Sequence, residues 1–160
     1  VLTLLKKEDP AVEALISVAR EVASKETGEA VFRHAAAQKN AERRSFLLKA
    51  ALKVDPDRVA ARLDLALSEL RGGPKVMAPQ ARMADRGLSA LGSIARSDAK
   101  AALAAVARDK GLKAEDLYYI GFHFSEQAGL NDFGRDVLKG MVKRFPKHEL
   151  ASAAKNKAGL

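Results

Sequence analysis

The chain carries three histidines, the side chains best suited to acid–base or metal chemistry near neutral pH. His34, His123 and His148 stand far apart, and none falls in a ligand spacing such as His-Glu-x-x-His. Each is read as a packing or surface residue. The carboxylates are scattered and alternate with Lys and Arg, as Glu21 and Lys25 do at i,i+4, which is the pattern of solvated helix faces. Arg71-Gly72-Gly73-Pro74-Lys75 contains glycine and lysine but lacks the Gly-x4-Gly-Lys-Ser/Thr spacing. Its proline also removes an amide that a phosphate cradle needs, so the segment reads as a helix terminator. Ser68, Ser89, Ser93 and Ser125 are outside any Gly-x-Ser-x-Gly elbow. Cysteine is absent, which excludes a disulfide framework, thiolate zinc sites and a cysteine nucleophile. No catalytic residue, metal or cofactor is expected.

Two other groups of residues could carry recognition rather than catalysis. The first is cationic. The 160 residues carry a formal net charge of +8, and the excess is uneven. Residues 72–114 hold 8 Lys/Arg against 3 Asp/Glu, whereas residues 1–71 hold 13 against 11 and residues 115–160 hold 7 against 6. Arg82, Arg86, Arg96, Lys100, Arg108, Lys110 and Lys113 form the basic stretch. A local excess of this kind suits a polyanion or an acidic partner. The stretch lacks aromatic residues, so it has no platform for base stacking.

The second group is aromatic. Six of the eight Phe and Tyr residues lie between Tyr118 and Phe145. Helical spacing puts Leu117, Ile120, Gly121 and Phe124 on one stripe, the expected core face. Tyr118, Phe122, Ser125 and Glu126 then fall on or near the opposite face.

The elements that position these residues are helical. Hydrophobic residues make up 48% of the chain, aromatics only 5%, and alanine occurs 31 times, a composition that suits closely packed helices. No stretch alternates with period two. Asp9-Pro10 starts a first helix carrying Val12, Leu15, Ile16 and Ala19. Further helices are expected over 27–38 and over 41–54, with Phe46, Leu47, Ala50, Ala51 and Val54 on one side. Asp55-Pro56 repeats the start signal for a fourth, with Val59, Leu63, Ala66, Leu67 and Leu70 inward. Met77, Ala81, Ala84, Leu88, Leu91 and Ala95 step by four and three as a heptad-like seam on a fifth. Ser97 is a cap for a sixth helix, which Gly111 stops. Helices over 114–127, 131–145 and 147–158 follow. About nine helices with short turns imply αα-hairpins.

Leu117, Ile120-Gly121 and Phe124, followed by Gly134, Leu138, Met141 and Pro146, resemble a tetratricopeptide repeat. A weaker likeness runs from Thr27 to Arg71, and residues 74–113 match poorly. The resemblance implies a single short α-solenoid: N-terminal hairpins over 1–71, a divergent basic pair over 72–114, and a repeat-like hairpin with a capping helix over 115–160. It also implies a non-enzymatic module that binds a protein or peptide segment in a concave groove. The groove residues are then Tyr118, Phe122, Ser125 and Glu126, with Asp64, Ser68 and Arg71 at comparable places on the fourth helix. The alternative is a basic module binding nucleic acid or another polyanion through residues 82–113.

Apolar runs are short, Ala101–Ala107 among the longest, so no membrane span is expected. The start, Val1-Leu-Thr-Leu-Leu-Lys-Lys, lacks the basic and long apolar regions of a signal peptide, and it has no initiator Met. The chain is therefore read as a domain excised from a longer protein, or as a processed protein. The cytoplasm is the expected compartment, with the periplasm as the alternative. The Ala- and Arg-rich composition is that of a bacterium with a GC-rich genome.

Overall fold

A computed structural model describes residues 25–73, 75–78 and 85–160. The expected first helix, the Glu21–Lys25 pair, and Ala81, Arg82 and Ala84 lie outside the described residues. Within them the protein is all-helical. The helices are α1 (Lys25–Ala36), α2 (Ala41–Val54), α3 (Val59–Leu70), α4 (Arg86–Ser97), α5 (Ala99–Arg108), α6 (Ala114–Ser125), α7 (Asn131–Arg144) and α8 (Ala151–Ala158). No strand occurs among the described residues. None of these helices is long and apolar enough to cross a membrane.

The chain divides into two compact units, Val1–Leu65 and Ala66–Leu160, with the division inside α3. In the first, α1 and α2 pack through Val31, Ala35, Leu47, Leu48, Ala50 and Ala51, joined by Ala61 from the first turn of α3. The small residues let the helix backbones approach, and the leucines fill the remaining space. Phe46, expected on the inward side of α2, is 39% exposed, and Leu48 takes the buried place. Asn40 caps α2 by accepting the Arg43 N–H at 2.9 Å. Polar side chains join the elements at the rim. Arg44 pairs with Asp64 at 2.8 Å, and Arg58 pairs with both Glu29 and Asp55.

The Asp55-Pro56 signal works differently from expectation. The Asp55 N–H bonds the Ala51 carbonyl at 2.9 Å and so closes α2, and Pro56 occupies the turn. Helix α3 begins at Val59, which is itself 42% exposed. The Arg71–Lys75 terminator acts as read: α3 stops at Leu70, and Gly72 takes φ +65°, a conformation that costs glycine little.

The seam expected from Met77 to Ala95 is not one helix. Residues 75–78 are non-helical, and α4 begins only at Arg86, where Asp85 accepts the Leu88 N–H at 3.0 Å. The Asp85 carboxylate satisfies an otherwise orphaned amide in the first turn of α4. Similarly Asp98, rather than Ser97, caps α5 by accepting the Ala101 N–H at 2.9 Å. Ser97 is the last residue of α4, and its hydroxyl donates to the Ile94 carbonyl.

The α6–α7 hairpin is the centre of the second unit. Its core consists of Leu117, Ile120, Phe124, Leu130, Phe133, Val137, Leu138 and Met141, each at most 5% exposed. Phe124 and Phe133 meet edge-to-face with centroids 5.4 Å apart. Gly121 and Gly134 mark the closest approach of the two helices. A Cβ on Gly121 would stand 2.5 Å from Leu138 Cγ, and one on Gly134 would stand 2.5 Å from the Phe124 carbonyl carbon. The hairpin is therefore locked by backbone contact rather than by side chains alone. Helix α8 lays Ala151, Ala154 and Ala158 against this pair.

Candidate functional site

Helix α6 carries most of the chemistry-bearing residues, and the hairpin fixes what each face shows. Leu117, Ile120, Gly121 and Phe124 point into the core, as their spacing implies. Tyr118, Phe122 and Ser125 are half-buried and Glu126 is exposed. Tyr118 and Phe122 lie side by side, one turn apart, with ring centroids 6.1 Å apart and planes tilted by 36°.

The outward face of α6 is bounded by α8. The Lys157 ammonium stands 4.2 Å from the Phe122 ring centroid and pairs with Glu126. Phe122 thus has one covered edge, while Tyr118 extends the aromatic surface toward the start of the helix. Ser125 serves the helix end: its hydroxyl donates to the Phe122 carbonyl, and its own carbonyl accepts from Asn131 Nδ2 at 2.8 Å.

Two of the other residues expected in the groove, Asp64 and Arg71, are held in ion pairs. In the first unit, Asp64 is engaged by Arg44. In the second, Ser68 is half-buried, and Arg71 pairs with Asp109 at the α5–α6 turn. That turn is held further by Arg144, whose guanidinium donates to the carbonyls of Asp109 and Lys110 at 2.8 Å each.

Opposite the aromatic pair, α6 presents a buried polar network that the sequence reading did not assemble. Asp116 is 2% exposed and accepts three donors: the Gly72 N–H at 3.2 Å, the Lys113 N–H at 2.8 Å and Lys75 Nζ at 2.7 Å. The Lys75 ammonium also lies 5.2 Å from the Tyr119 ring centroid. The buried Tyr119 hydroxyl donates to Asp85 at 3.1 Å. Burial, reinforced by the Asp85 carboxylate, pushes the Tyr119 phenol up to about 12. His123, 1% exposed, bonds the Val76 carbonyl through Nε2 at 2.9 Å. A carbonyl only accepts, so Nε2 carries the proton. The Tyr119 and His123 rings meet at nearly a right angle, 4.6 Å apart.

These contacts tie Gly72, Lys75 and Val76 across α6. The phenol acts as a donor, Asp85 accepts two donors and Asp116 three, and the imidazole is fixed, so the arrangement works as a latch. Its signal in the sequence is the i,i+4 spacing of Tyr119 and His123 on a face that the apolar stripe leaves free. Among the described residues, no three His, Asp or Glu are grouped to hold a metal ion.

The basic residues divide between turns. Arg96 and Lys100 flank the α4–α5 junction, and Arg108, Lys110 and Lys113 flank the α5–α6 turn, with residues 101–107 of α5 between the two groups. Arg86 opens α4. All six are exposed, and Arg82 lies outside the described residues.

No family model, no curated protein and no solved structure matches this chain.

Proposed function

We propose that the chain is a non-enzymatic helical-hairpin module, resembling a short tetratricopeptide-like solenoid, that holds a protein segment against the outward face of α6. The observation that carries this reading is the half-exposed Tyr118–Phe122 pair, flanked by Glu126 and Lys157, on a hairpin locked by backbone contact. Rigid aromatic side chains bury a large area at little conformational cost, and they make the strongest anchors of protein interfaces. The flanking ion pair supplies one charge of each sign, which orients a bound segment. The close approach at Gly121 and Gly134 supports the repeat-like reading, because that pattern places small residues where its two helices touch.

The test is binding of a partner captured from native lysate, measured for the wild type and for Tyr118→Ala and Phe122→Ala. Each substitution is expected to raise Kd about 5- to 30-fold, the effect of losing an interface anchor of about 1–2 kcal/mol. Helical circular dichroism should be retained. Unchanged affinity refutes the reading, and loss of the fold reassigns the two rings to the core.

A second reading rests on the six exposed cations of α4, α5 and their turns, none of which has an ion-pair partner among the described residues. They would bind a polyanion through charge alone. Affinity for a nucleic-acid duplex should then fall steeply with salt. A flat salt dependence refutes this second reading.

A further inference from the structure

The second unit contains a cavity of about 390 Å³ that neither the aromatic face nor the latch uses. Its apolar lining comes from Leu103 and Val106 of α5, Leu117 of α6, and Val137 with Gly140 of α7. Lys143 and Arg144 form the polar part of the lining, and no acidic residue lines the cavity.

Its size falls within the range of small-molecule sites, about 300–1,000 Å³, which are mostly apolar with a few polar groups that set orientation. Lys143 is exposed and has no ion-pair or hydrogen-bond partner among the described residues. Arg144 donates to the carbonyls of Asp109 and Lys110 and stacks 5.0 Å from the Phe145 ring centroid, so it is held in place, and no carboxylate among the described residues pairs with it. The carboxylate of Asp109 is already engaged by Arg71. Gly140 leaves the wall open, since a Cβ there would meet nothing within 4 Å.

We infer that this cavity binds a small amphipathic anion: an apolar body that enters between α5 and α7, with one carboxylate head that stays at the mouth against Lys143 and Arg144. The apolar lining favours removal of a hydrocarbon chain from water. The two cations select the sign of the head group, and the fixed guanidinium offers it a preorganised charge. The inference does not depend on the aromatic-face reading, because the two sites share no residue.

Decanoate is the probe, with decyltrimethylammonium as a chain-matched probe of opposite charge. Methyl NMR of the folded chain reads the site through Leu103, Val106, Leu117 and Val137. Decanoate is expected to shift these methyls saturably, and the cationic probe to leave them unmoved. Gly140→Leu fills the cavity from an unobstructed position and should abolish the shifts. Lys143→Glu should weaken decanoate at least about tenfold, the loss of one charge-assisted contact. Equal binding of both probes overturns the proposal, as does decanoate binding that survives Gly140→Leu. Binding of an acidic, leucine-containing peptide with none of decanoate also overturns it and assigns the cavity to a protein partner.

Discussion

Replacing Gly134 by alanine tests the closeness of α6 and α7 directly. The added Cβ would lie 2.5 Å from the Phe124 carbonyl carbon and 2.7 Å from Ser125 Cα, and closer still to the Ser125 nitrogen. All three are backbone atoms, so no rotamer change relieves the clash, and α7 must retreat by about 1 Å in a core packed at native density. Overpacking of this kind costs about 1–3 kcal/mol, and backbone obstruction puts Gly134→Ala at the upper end. Alanine returns about 1 kcal/mol through helix propensity, which leaves a net loss of about 2 kcal/mol. Six residues later on the same helix, Gly140 meets nothing within 4 Å, so Gly140→Ala keeps the propensity gain with no clash. The two substitutions are expected to have opposite signs. For a chain of this size the melting temperature should fall by about 4–8 °C for Gly134→Ala and rise by about 2–4 °C for Gly140→Ala. The assay is thermal unfolding followed by near-ultraviolet circular dichroism. The chain has two tyrosines and no tryptophan, and both tyrosines, Tyr118 and Tyr119, are on α6, so the tyrosine signal reports on that helix. Equal stability of the two variants would refute the backbone-locked hairpin.

Asp116→Asn should destabilise the second unit by about 3 kcal/mol, since it leaves the Lys75 charge unpaired beside a buried site, and urea unfolding of the variant checks this. Tyr119→Phe removes a buried donor to Asp85 and should cost about 1 kcal/mol in the same experiment. The Tyr119 phenol is raised from 10.0 to about 12, so its contribution to stability is complete below pH 10 and is lost as pH climbs toward 12. Absorbance titration should show a tyrosine ionising near pH 12 that Tyr119→Phe abolishes. Glu29 behaves oppositely: hydrogen bonds from Arg33 and Arg58 hold its carboxyl below the usual range. Its contribution to stability is present above pH 4.5 and disappears as pH falls through the depressed value, so Glu29→Gln should be less stable than the wild type near neutral pH and the difference should vanish in acid, as urea unfolding across that pH range checks.

Much of the helical layout was legible because local chemistry and tertiary packing agree. The 41–54 helix emerges with the expected bounds, since Asn40 caps it and Leu47, Ala50 and Ala51 repeat on the buried side. The α6 stripe was equally clear: Leu117, Ile120 and Phe124 are buried, and Gly121 faces Leu138 of α7. The misplacements occur where one residue had two possible roles. Asp55 closes a helix instead of opening one, and Asp85 starts α4 inside a periodic pattern that ran back to Met77. The apolar step of four and three cannot distinguish a continuous helix from a helix preceded by a docked segment. The latch was hidden for another reason. Asp116 reads as an ordinary acidic residue in a first helical turn, and its donors Gly72 and Lys75 lie over 40 positions earlier. Contacts at that separation arise from tertiary packing and leave no local pattern.

The central claim is that a partner segment lies on Tyr118 and Phe122. The most direct measurement is photo-crosslinking with a benzophenone side chain placed at position 118, compared with one at the exposed Ala104 on α5. A discrete protein adduct is expected at 118, resistant to nuclease and to raised salt, that wild-type chain competes away and the Tyr118→Ala/Phe122→Ala double variant does not. Equal adducts from both positions, or equal competition by the double variant, would contradict it.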